Sequence, residues 1–74
     1  MLETYATFKI GRYSLEIESF ADGAVCAHVS RGECTAELSE LECYGTLDDS
    51  EGNTVHVTEA DTKRLVKRAY AAGW

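Results

Sequence analysis

Two runs of alternating apolar and polar residues lie either side of Asp22-Gly23, and this pattern constrains the chain to an antiparallel hairpin before anything else is considered. Tyr13, Leu15 and Ile17 alternate with Ser14, Glu16 and Glu18, the period of a strand with one wet side. Beyond the turn, Val25, Ala27 and Val29 share one side while Cys26, His28 and Ser30 share the other. Asp-Gly between two such runs is a strong hairpin signal, because both residues tolerate positive φ. Residues 13–20 and 24–31 are therefore expected to pair.

The other glycines also read as punctuation, since the chain has no proline to do that work. Residues 4–10, rich in β-branched and aromatic types, predict a first strand ending at the turn Gly11-Arg12. Arg31-Gly32 predicts the next turn, followed by a strand with Cys34, Ala36 and Leu38 on one side and an acidic outer side. Between Leu38 and Leu41 the apolar parity changes, which places a bulge, bend or short loop at Ser39-Glu40. Leu41 to Leu47 then reads as a further strand, with a short helix over 36–44 as the alternative. Asp48 to Asn53 is a polar loop, and Thr54 to Val57 a short strand containing His56.

A C-terminal helix follows. Thr58, with Asp61 three places on, resembles a capping box in which Asp replaces the usual Glu or Gln. Thr62, Leu65, Val66, Ala69 and Tyr70 form one stripe, and Lys63, Arg64, Lys67 and Arg68 lie largely opposite. Gly73 and Trp74 are placed to close the helix in a Schellman motif. The expected fold is α+β: one domain over 1–74, an antiparallel sheet of four or five short strands, and one C-terminal helix packed on one face. A chain of this length buries only about 60 % of its unfolded surface, so each periodic apolar residue is expected to be needed for folding.

Charge narrows the function. Residues 1–58 hold three bases against eleven acids, and residues 59–74 hold four bases against two acids, within an overall net charge of −6. That balance disfavours direct binding to nucleic acid or to an anionic membrane. No apolar run approaches the ~20 residues of a membrane span, and the start MLETYATFK lacks the regions of a secretory signal. Three cysteines, Cys26, Cys34 and Cys43, make no closed disulfide framework, so the expected location is the cytoplasm.

Catalytic and metal chemistry find no foothold. Cys26, His28, Cys34, Cys43 and His56 are zinc-ligand types, but they lack the close C-x2-C pairing of structural zinc sites. Asp48 and Glu59 mark the first and twelfth places of a calcium loop, yet the sixth is Asn53, with Gly52 one residue early. No glycine-rich phosphate loop, G-x-S-x-G or H-E-x-x-H occurs. The reading is a non-enzymatic protein without a cofactor.

The acids themselves are the candidate site. Residues 33–51 carry Glu33, Glu37, Glu40, Glu42, Asp48, Asp49 and Glu51 and not one Lys or Arg, and Glu16 and Glu18 extend the set from the neighbouring hairpin. Alternate residues of a strand project the same way ~6.8 Å apart and adjacent strands lie ~4.8 Å apart, so such residues form a two-dimensional array of charge. An array of that kind fits a basic groove on a larger protein, with Tyr5, Tyr13, Tyr44 and Trp74 as aromatic anchors if exposed. In size, acidity and cysteine usage the chain resembles the small inhibitors encoded by phages, among them anti-CRISPR proteins that block DNA binding by a CRISPR effector complex. The resemblance is one of class and transfers no residue. It implies a stoichiometric inhibitor with a basic protein target. The alternative expectation is an accessory or structural subunit acting through homodimerisation or strand-edge pairing.

Overall fold

The computed structural model describes the backbone of residues 2–74 and the side chains from Tyr5 onward. Strands β1 (Leu2–Ile10), β2 (Tyr13–Phe20), β3 (Val25–Arg31) and β4 (Cys34–Glu37) lead into helix α1 (Leu38–Tyr44). Strands β5 (Thr46–Asp48) and β6 (Thr54–His56) and helix α2 (Glu59–Ala71) complete the chain. The six strands form one sheet in chain order, with every neighbouring pair antiparallel.

The β2–β3 hairpin has the expected faces and the expected pairing of residues 13–20 with 24–31. Leu15 opposes Val29 and Ile17 opposes Ala27, so the closing pair is Phe20 with Ala24 and the loop has three residues. A two-residue turn would move the register by one and set core residues against solvent residues. Only Gly23, at φ +91°, adopts a positive φ; Asp22 instead accepts the Ala24 N–H at 3.0 Å through its carboxylate. A loop closed by one left-handed glycine is the usual three-residue solution.

Four or five strands with a single helix is corrected, among the described residues, to six strands with two helices, and the correction lies between Leu38 and Leu47. Leu38 and Leu41, whose parity conflicts on a strand, lie three apart and so share one side of a helix turn. Both are fully buried in α1. The alternative of a short helix over 36–44 therefore holds, as Leu38–Tyr44, and the strand expected over Leu41–Leu47 begins only at Thr46. Gly45 makes the break: at φ +69° it is left-handed, and its N–H donates to the Leu41 carbonyl at 2.8 Å. A further bond, Val57 N–H to the Gly45 carbonyl at 2.9 Å, ties this joint to the approach to α2.

Both helices contribute to one core on one side of the sheet. Leu15, Ile17, Ala27, Val29, Leu38, Leu41, Leu47, Leu65 and Ala69 are its buried centre, with Phe8, Val25, Val55, Val66 and Trp74 packed around them. Helix α2 is capped as its sequence indicates. Thr58 Oγ1 accepts the Asp61 N–H at 3.1 Å, while the Asp61 carboxylate turns to Arg64 at 3.6 Å. At the other end the Trp74 N–H reaches the Ala69 carbonyl at 2.9 Å and the Gly73 N–H reaches that of Tyr70 at 3.1 Å. These are the paired bonds of a Schellman motif. They fold Trp74 back onto the helix, its ring 5.1 Å from that of Tyr70. No helix among the described residues is long and apolar enough to cross a membrane.

Candidate partner-binding surface

Because α1 and α2 cover one side of the sheet, the side chains of the other parity on β1–β4 face outward. Registers line these up in rows. Thr7, Glu16, His28 and Glu37 form one row across β1–β4. Tyr5, Glu18 and Cys26 form a second. Lys9, Ser14, Ser30 and Thr35 form a third, which continues to Asp48 and Thr54. A shallow depression of about 290 Å³ runs among Glu16, Glu18, His28, Ser30 and Thr35.

The nine acids singled out in the sequence separate into three groups. Glu16, Glu18, Glu37 and Asp48 share the outward side by register. Glu40 and Glu42 are exposed on α1, in the helical layer. Glu33, Asp49 and Glu51 occupy the β3–β4 and β5–β6 turns. Residues 33–51 are thus acidic throughout but do not form one continuous array.

Two of the nine have structural partners. The Asp49 carboxylate accepts the backbone N–H of Glu51 at 2.9 Å and of Asn53 at 2.8 Å, and the Asn53 side-chain amide at 2.8 Å. These bonds, that of the Asn53 side chain foremost, hold its carboxyl below the ordinary carboxylate range. Asp48 accepts the Thr54 hydroxyl at 2.9 Å. Among the described residues ion pairs within 4.0 Å occur only inside α2, as Glu59 with Lys63 and Asp61 with Arg64. None of the nine acids has such a partner.

The basic stripe of α2 differs from its sequence appearance, since Lys63 and Arg64 pair with acids of their own helix. The Arg68 guanidinium lies over the Phe8 ring, 4.2 Å from its centroid, so this side chain packs on β1 as well as carrying charge. Of the four proposed anchors, Tyr5 and Tyr44 are exposed, whereas Tyr13 is buried and Trp74 is half-buried. Tyr70, expected on the apolar stripe, is 63 % exposed. Residues four apart on a helix are neighbours, but α1 and the sheet cover only the arc holding Leu65 and Ala69.

The cysteines are dispersed. Cys26 lies on the outward side of β3, Cys43 is exposed on α1, and Cys34 is buried. Burial raises the Cys34 thiol above its ordinary value, with the charges of Asp49 and Asp48 acting in the same direction. Its Sγ lies 3.9 Å from the Asn53 carbonyl. No group of three or more His, Cys, Asp or Glu able to hold a metal ion occurs among the described residues.

His28 was missed as a site residue. Placed opposite both Glu16 and Glu37, it stands at the middle of the acidic row, a position legible only once both hairpin registers are known. Comparison of the chain with protein-family models, with curated proteins and with solved structures gives no match. The functional reading therefore rests on this surface.

Proposed function

We propose that the protein is a small non-enzymatic binding protein that occupies a basic, nucleic-acid-binding surface of a larger protein. In this reading it acts as phage anti-CRISPR inhibitors do, blocking DNA binding by a CRISPR effector complex. The observation that supports it is the outward side of the sheet, where Glu16, Glu18, Glu37 and Asp48 stand without an ion-pair partner. Two like charges ~7 Å apart in water repel by only about 0.6 kcal/mol, so the fold tolerates them singly. A partner lined with Lys and Arg would turn each repulsion into attraction and speed encounter. Tyr5, on the same side and opposite Glu18, supplies apolar area beside the charge. The cytoplasm fits this reading, since the three thiols would stay reduced there.

The test is capture of partners from a host lysate on the immobilised protein, eluted by a salt gradient and identified by mass spectrometry. A nucleic-acid-binding protein leaving at moderate salt is expected, and Glu18→Lys/Glu37→Lys should abolish its capture while Glu40→Lys/Glu42→Lys on α1 weakens it less. Retention of full capture by the first variant would overturn the reading.

One observation favours a second reading. β1 spans nine residues at the edge of the sheet, with no strand on its outer side among the described residues. A long free edge is a template for pairing with another strand, and two copies could join there across a two-fold axis. Size-exclusion mass at low and high salt separates the readings, because an edge-paired dimer is held by backbone hydrogen bonds and resists salt.

A further inference from the structure

Arginine is scarce in this acidic chain, with only Arg12, Arg31, Arg64 and Arg68 present. Three of the four, Arg12, Arg31 and Arg64, line a single cavity of about 360 Å³, together with His56 and Asp61. Distant parts of the sequence deliver them. Arg12 comes from the β1–β2 turn, Arg31 from the end of β3 and Arg64 from the second turn of α2. Arg31 is half-buried, and its guanidinium is steadied over the Tyr13 ring at 5.9 Å. Arg64 is held by Asp61 at 3.6 Å. Among the described residues neither Arg12 nor Arg31 has a carboxylate within 4.0 Å.

We infer that this cavity binds a phosphate group, as the ester or diphosphate of a small molecule. Three arginines against Asp61 leave a net of two positive charges among these four side chains, which matches the charge of about −1.5 to −2 on a phosphate monoester near pH 7. A carboxylate would leave half of that positive charge uncompensated. Planar guanidinium forks also suit an acceptor with three or more oxygens, since each can give two parallel N–H bonds. The volume lies near the lower end of small-molecule sites, at ~300 Å³, and so suits a small phosphorylated compound. Within an overall charge of −6 such a cavity is a local reversal of field. It is formed by residues other than the nine acids, so the two proposals stand or fall separately.

The test is a titration of the full chain with inorganic pyrophosphate, inorganic phosphate and acetate, followed by backbone amide shifts in two-dimensional NMR. Saturable binding of pyrophosphate or phosphate is expected, with shifts confined to residues 10–13, 31 and 56–64. Arg12→Gln/Arg31→Gln should weaken it at least about tenfold, the loss of charge-assisted bonds, whereas Lys67→Gln should leave it unchanged. Arg12 is exposed in its turn, so Arg12→Gln alone carries the comparison if the double variant fails to fold. Shifts that never saturate, that spread evenly over every Lys and Arg, or that acetate reproduces with equal affinity would overturn the inference.

Discussion

The two sides of the sheet are built from the same strands and obey different rules. On the helical side, Leu15, Val29, Leu38, Leu47 and Leu65 are all fully buried, and each touches residues distant in sequence. On the outward side, Glu16, His28 and Glu37 oppose one another across the strands and none of them is buried. Burial dictates residue type on the first side, because a domain this small has no surplus core to lose. Nothing in the packing dictates carboxylates on the second. That difference locates stability on one side and leaves the other free for recognition.

The comparison breaks most visibly at Leu15. Leu15→Ala is expected to cost roughly 2–5 kcal/mol, a large share of the stability of so small a domain, and thermal unfolding followed by circular dichroism should show a large fall in Tm or no transition at all. The helical layer can also be loosened from its end. Thr58→Ala removes the acceptor for the Asp61 N–H and should cost about 1 kcal/mol, read as a lower denaturant midpoint with an unchanged slope.

A weaker effect, dependent on pH, belongs to the β5–β6 turn. The folded protein holds the Asp49 carboxyl below its ordinary value of 3.8, so its contribution is fully present above that pH and is lost as pH falls through the folded value. Denaturant midpoints measured from neutral to strongly acidic pH should show part of their decline disappear in Asp49→Asn.

The smallest effect on stability is expected where the effect on binding is largest. Glu18→Lys/Glu37→Lys should change unfolding free energy by no more than about 0.5 kcal/mol, because neither side chain has an ion-pair partner to lose. A loss of several kcal/mol in this variant would mean that the outward side also supports the fold, and the division between the two sides would fail.

Much of this architecture is visible in local pattern. Tyr13, Leu15 and Ile17 alternate on the chain and are buried in the fold, and Thr58, Gly73 and Trp74 mark the limits of α2 where the capping bonds lie. Such features need only neighbours within a few residues, and period or turn chemistry reports them directly. The stretch from Leu38 to Leu47 stayed open between a strand and a short helix over 36–44, since a seven-residue helix spans only about two turns and is marginal without tertiary packing. Its identity depends on Leu38 and Leu41 finding the core that α2 completes.

The candidate site divides in the same way. That residues 33–51 are acidic, and that Glu16 and Glu18 share a strand side, follows from the sequence alone, because both are properties of neighbours. Which carboxylates face outward together, and that His28 sits between Glu16 and Glu37, were decided by strand register. The convergence of Arg12, Arg31 and Arg64 was decided by the path of the whole chain. Local periodicity records which side of an element a residue occupies. Only the packing of elements against one another determines which distant residues meet, and that packing is set by the burial of the core as a whole.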